Sequence, residues 1–195
     1  MGERLNLEIR QGGELLANAY YHWSAYTRSA LDLTEIVLKE LPKINESDPV
    51  VKAIRLLEAT NAGLTPPEKE YAKQHLKGFD PTQFQDAIDR NEGLIAISEE
   101  GMAETQRWQE GSVTIHLDEQ WVELGVCWFI DDKEEYCDDY EETEEEYEAL
   151  PVYSRDISKF SFNEIQEVKT FVEDVIAAGH YRYRLPSGAV ISFVE

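Results

Sequence analysis

Basic residues are scarce in this 195-residue chain: 18 lysines and arginines stand against 40 acidic residues, a formal net charge of −22. Binding to a phosphate backbone needs a basic footprint, so direct nucleic-acid binding is not expected. Two cysteines, Cys127 and Cys137, are too few for a disulfide framework. No apolar run approaches the roughly 18 residues of a membrane span. The opening Met1-Gly2-Glu3-Arg4 lacks the apolar stretch of a secretory leader, and Asn6 stands where a myristoylation signal needs Ser or Thr. The expectation is a cytoplasmic protein. The four histidines, His22, His75, His116 and His180, form no tight ligand pair with each other or with the cysteines, so no zinc site is expected. There is no glycine-rich phosphate loop and no nucleophile elbow, and no cofactor is expected.

What is present suffices for a core, with 42% apolar and 11% aromatic residues. Leu5, Leu7 and Ile9 alternate with polar residues, Gly12-Gly13 turns the chain, and Leu15–Tyr21 returns it, which predicts a β-hairpin. A helix is expected over Ser24–Leu41, and a second from Asp48-Pro49 to Gly63. Thr65-Pro66-Pro67-Glu68 resembles a capping box opening a third helix that closes at Gly78. Asp80-Pro81 opens a fourth, with Phe79 and Phe84 as a hydrophobic staple. Strands are expected at Leu94–Ile97, Val113–Leu117 and Val122–Ile130, with a short helix possible over Glu99–Gln109. Ser161-Phe162-Asn163-Glu164 is a further capping box, starting a helix to Ala178, and Tyr181–Leu185 with Ala189–Val194 predicts a terminal hairpin. The class is α+β, an N-terminal hairpin and helical cluster followed by an antiparallel sheet. A boundary near 92/93 would give two regions, 1–92 and 93–195, unless the chain forms one continuous domain.

The charge is unevenly placed. Residues 1–92 hold 15 acidic and 11 basic side chains, whereas 131–150 hold 12 and one. The 131–148 segment carries Asp131, Asp132, Glu134, Glu135, Asp138, Asp139, Glu141, Glu142, Glu144, Glu145, Glu146 and Glu148. Between them Tyr136, Tyr140, Thr143, Tyr147 and Leu150 recur at helical spacing, so the segment can dock through a tyrosine stripe and present carboxylates elsewhere. As a helix it would span about 27 Å. Its charge would then fall at one per roughly 2.5 Å, between the ~1.7 Å of duplex DNA and the ~3.4 Å of a single strand. Like-charged neighbours one turn apart repel, and a basic partner would relieve that repulsion.

Other readings exist. A charge run can be a solvated, flexible stretch that only aids solubility. A calcium loop would need an Asp-x-Asp-x-Asp-Gly spacing and a glycine, and the run has neither. His180, Arg182 and Arg184 alternate along a predicted strand and can either bind a phosphate ester or serve as internal counter-ions to the acidic half. Tyr20-Tyr21-His22-Trp23 at a strand end could line a pocket, although aromatics at such a junction are more often core or rim packing.

Small size, strong acidity and a patterned carboxylate segment resemble the DNA-mimic inhibitors of phages and mobile elements, the anti-CRISPR and anti-restriction proteins. The resemblance rests on Asp131–Glu148, with Glu99, Glu100, Glu104, Glu110, Asp118, Glu119 and Glu123 as extensions. It covers under a third of the chain and is one of charge pattern, so it implies no particular fold. It implies a stoichiometric blocker of the nucleic-acid groove of a basic partner, such as a nuclease or its guide complex. The nearly neutral N-terminal half exceeds what mimicry requires, which leaves room for a second activity or an oligomer interface. Competing expectations are a phosphate-ester-cleaving enzyme using His180, Arg182 and Arg184, and an acidic module for a basic host protein.

Overall fold

The computed structural model describes residues 4–22, 24–87, 93–107, 109–125, 152–153, 155–177, 181–184 and 190–193. A seven-stranded sheet organises them. Strands β1 (Leu5–Gln11) and β2 (Glu14–Tyr21) form the expected hairpin, whose turn residues Gly12 and Gly13 both take positive φ (60° and 80°). A two-residue turn of that hand matches the right-handed twist of its strands and favours glycine. The hairpin sits in the middle of the sheet. β3 (Ala62–Leu64), β4 (Gly93–Ala96), β5 (Gly111–His116), β6 (Trp121–Leu124) and β8 (Lys159–Ser161) complete the order β3-β4-β2-β1-β5-β6-β8. The sheet is mixed rather than wholly antiparallel, because β1 runs parallel to β5 and β3 parallel to β4. Strands β7 (Val152–Tyr153), β9 (Tyr181–Arg184) and β10 (Val190–Phe193) make a second sheet, in which the terminal β9–β10 pair is antiparallel as expected.

Alternation decides the two faces of the large sheet. Leu5, Leu7, Ile9, Val113, Ile115 and Val122 are fully buried, in one core with Leu31 and Val37 of α1 (Thr27–Glu40), Ile54 and Leu57 of α2 (Pro49–Glu58), and Val168, Val172 and Val175 of α5 (Ile165–Ala177). The intervening positions, Asn6, Glu8, Arg10, Ser112, Thr114, His116 and Glu123, are polar. Helix α4 (Glu99–Gln106) covers part of that polar face: Asn6 Nδ2 donates to the Thr105 carbonyl (3.1 Å), Asn18 Nδ2 to Thr105 Oγ1 (2.9 Å) and Gln106 Nε2 to Glu8 Oε1 (2.6 Å).

Caps set most helix starts. Asp48 accepts from the Val50 and Val51 amides with Pro49 at the first helical position, and the Ser161–Glu164 capping box is reciprocal. Three local signals were overridden by tertiary contacts. Helix α2 stops at Glu58, short of Gly63; Asn61 enters the left-handed region (φ 62°) and the chain becomes β3. The expected fourth helix is only a 3-10 turn, Pro81–Gln83, because the chain after it runs beside β3: Leu64 N donates to the Gln85 carbonyl and Ala87 N to the Leu64 carbonyl, each at 3.1 Å. A Cβ on Gly63 would lie 2.6 Å from the Asp86 backbone, so that close approach needs glycine. The Phe79–Phe84 staple does form, with stacked rings 4.4 Å apart. Thr65 caps α3 (Pro66–His75), but Glu68 does not close the box. Its buried carboxylate instead accepts from Ile97 N (2.8 Å), Ser98 N (2.9 Å) and Ser98 Oγ (2.5 Å), tying α3 to the start of α4.

Candidate functional site

The acidic segment 131–148, including Tyr136, Tyr140 and Tyr147, lies outside the described residues, but its anchorage in the fold does not. Strands β6 and β8 are antiparallel neighbours, with Val122 opposite Phe160 and Glu123 opposite Lys159. Such neighbours ordinarily join through a turn of about two to five residues. Here the whole stretch 125–158 intervenes, with the acidic segment inside it. Leu124 N donates to the Ser158 carbonyl (2.8 Å), joining its two ends, and Gly125 N donates to the Ser112 carbonyl of β5 (2.7 Å). A Cβ on Gly125 would displace the Ser112 hydroxyl and press within 3.2 Å of the Ser112 carbonyl, so the chain leaves the sheet close against β5. Among the described residues, the ladder between β6 and β8 is formed by Trp121–Glu123 with Lys159–Ser161.

Several described cations of the body pair with carboxylates of the body. Lys169 of α5 bridges Asp32 (2.5 Å) and Glu35 (2.6 Å) of α1, and Lys39 adds a second contact to Glu35 (2.5 Å). Those hydrogen bonds, from Lys169 first and Lys39 second, hold the Glu35 carboxyl down at about 2. Burial pulls the Lys169 ammonium down, but its bonds to Asp32 and Glu35 outweigh that and leave it raised. Arg10 pairs with Glu8, Arg28 with Glu173, Arg55 with Glu58, Lys69 with Asp86, and Arg155 with Glu167. Within 131–150 a single Lys133 faces 12 acids.

The acidic extensions divide by role. Asp118 accepts from Gly12 N (2.9 Å) and so joins the β1–β2 turn to the β5–β6 turn. Glu110 accepts from Arg4 N (3.1 Å), and Glu119 accepts from the Trp121 indole. Glu99, Glu100 and Glu104 are exposed on α4, and Glu123 is exposed on β6. Arg182 and Arg184 lie on β9, opposite Ser192 and Val190 of β10, with Arg182 also opposite Val152 of β7; His180 falls outside the described residues. Among the described residues no group of three His, Cys, Asp or Glu side chains is arranged to hold a metal, and no helix is long and apolar enough to cross a membrane.

One constellation escaped the sequence reading. Glu8, Arg10, Gly13, Ser112, Thr114, His116, Glu123 and Gly125 line a trough of about 280 Å³ on the polar face, beside the point where the chain departs toward the acidic segment. Arg10 Nε donates to Glu8 Oε2 (3.0 Å), while His116 stacks on Trp121 with centroids 3.8 Å apart. Lys159 Nζ lies 3.5 Å from the centroid of the same indole. The signal was the regular polar alternation of Glu8 and Arg10 and of Ser112, Thr114 and His116, which marks a face but not which strands share it. No family model matches the chain, and no curated protein or solved structure matches it.

Proposed function

We propose that the protein is a non-catalytic, acidic DNA-mimic inhibitor that occupies the nucleic-acid-binding groove of a basic partner, a defence nuclease such as a CRISPR effector. The observation that carries this reading is the separation of charge from scaffold. The acidic segment lies in the connection between two strands that pair directly with each other, and Arg28, Arg55, Lys69 and Lys169 of the body are held by the body's own carboxylates. With 12 acidic residues against one lysine in 131–150, the segment carries a concentrated negative charge that an external basic groove would neutralise, steering association and competing with phosphates.

The binding residues are the carboxylates of 131–148 acting together, with Tyr136, Tyr140 and Tyr147 holding the segment in register or adding contacts. Converting Glu141, Glu142, Glu144, Glu145 and Glu146 to Gln should weaken partner binding by about 100-fold and flatten its salt dependence. The measurement is a competition gel with a purified CRISPR nuclease and its guide at two salt concentrations. Target DNA should be displaced by the unmodified chain and retained with the quintuple variant. Equal displacement by both proteins would refute the reading.

A further inference from the structure

We infer that the trough on the polar sheet face is a receptor for an arginine side chain, presented by the basic partner; the inference rests on the reading above for the source of that arginine. The described lining of the trough comes from β1, β5, β6 and the turns beside them. Strand register places Glu8, Thr114 and Glu123 in one row across β1, β5 and β6. With neighbouring strands about 4.8 Å apart, a cation above Thr114 lies midway between two carboxylate-bearing positions.

The two carboxylates differ in what they have left to offer. Both Glu8 oxygens are engaged, Oε1 by Gln106 and Oε2 by Arg10, so Arg10 is neutralised in place. The Glu123 side chain is 58% exposed, and its ion-pair contact is the His116 ring, with Oε2 3.9 Å from Nε2. That separation is too long for a hydrogen bond. His116 Nε2 is buried and has no hydrogen-bond partner among the described residues. Lys159, opposite Glu123 in register, is turned onto the Trp121 ring. The other nearby acid, Glu119, is drawn to the Trp121 indole and lies 3.9 Å from His116 Nδ1.

With the His116 proton on Nδ1, on the side of Glu119, Nε2 is an acceptor, and a donor entering between Glu123 and His116 would satisfy both groups at once, with the exposed Glu123 side chain adjusting to admit it. A guanidinium suits this better than an ammonium. Its planar fork offers five donors, enough to reach the Glu123 carboxylate, His116 Nε2 and the Thr114 hydroxyl together, and it is more weakly hydrated.

The test is a titration of isotope-labelled protein with butylguanidinium, followed by amide chemical shifts against sodium chloride at matched ionic strength. Saturable shifts at Thr114, His116 and Glu123 are expected, weakened at least about fivefold in Glu123→Gln and at least about threefold when butylammonium, of the same charge and chain length, replaces butylguanidinium. Non-saturating shifts, shifts confined to 131–148, or equal affinity in Glu123→Gln would overturn the inference. Equal affinity for butylammonium would overturn the arginine assignment. Repeating the titration in the variant with Glu141, Glu142, Glu144, Glu145 and Glu146 converted to Gln separates the two readings. Trough binding should survive there, whereas nuclease inhibition should not. An intact inhibitor with an unresponsive trough would sink only the trough.

Discussion

The body of the molecule and the acidic segment treat charge in opposite ways. In the body, carboxylates serve as structural parts: Glu68 ties α3 to α4, Asp48 and Glu164 cap helices, and Glu35 with Asp32 clamps Lys169 across α1 and α5. Each accepts hydrogen bonds or ion-pair contacts from donors of the body. In the segment 131–148 the same residue type is repeated with one lysine for company. Local repulsion there is a cost to the free chain and a resource for binding. The lesson is that total charge says little until it is divided into carboxylates already used and carboxylates left over.

Four perturbations sharpen this contrast. The largest should be Leu7→Ala, which empties a fully buried position of the central strand. A loss of about 3–4 kcal/mol in unfolding free energy is expected by denaturant titration. The salt dependence of partner binding by the remaining folded fraction should be unchanged. Next comes the five-residue Glu→Gln conversion, whose effect of about 100-fold on binding corresponds to about 2.7 kcal/mol. The melting temperature should stay the same or rise slightly as repulsion is removed. A marked fall in melting temperature would mean that the segment contributes to the fold, and the contrast would collapse.

Glu68→Ala should cost about 2 kcal/mol, because the Ile97 and Ser98 amides lose their shared acceptor. Hydrogen exchange should then report faster opening at the start of α4, with the β1–β2 hairpin unaffected. The smallest effect should be Lys169→Met, about 1 kcal/mol at neutral pH for a partly exposed cluster. It carries a pH signature. The Glu35 carboxyl is depressed from an ordinary 4.5 to about 2, so its contribution is complete above about 4.5 and disappears as the pH falls toward 2. Stability curves of the parent and Lys169→Met should therefore converge on acidification through that window; a constant gap would show that the cluster is not what holds Glu35 down.

Much of the local structure was legible in the sequence. Alternation in Leu5–Ile9 and the Gly12-Gly13 pair gave the hairpin, and Asp48-Pro49 and Ser161–Glu164 gave helix starts, since each signal acts within about four residues. The same reasoning failed where distant segments competed for a local signal. Asp80-Pro81 yields only a turn because the following residues pair with Leu64, and Glu68 leaves its cap for Ser98. β8 carried no sequence signal, being three residues that become a strand only because β6 has a free edge.

The sequence by itself determined the α+β class, the starts of the capped helices, and the concentration of negative charge in 131–150. These depend on composition and on neighbours along the chain. Tertiary structure alone decided that β1 lies between β2 and β5, that the acidic stretch is an insertion between paired strands, and that Glu8, Thr114 and Glu123 meet in one row. Strand order and register are chosen by burial of whole apolar faces, which couples residues more than a hundred positions apart and leaves no mark on any one segment.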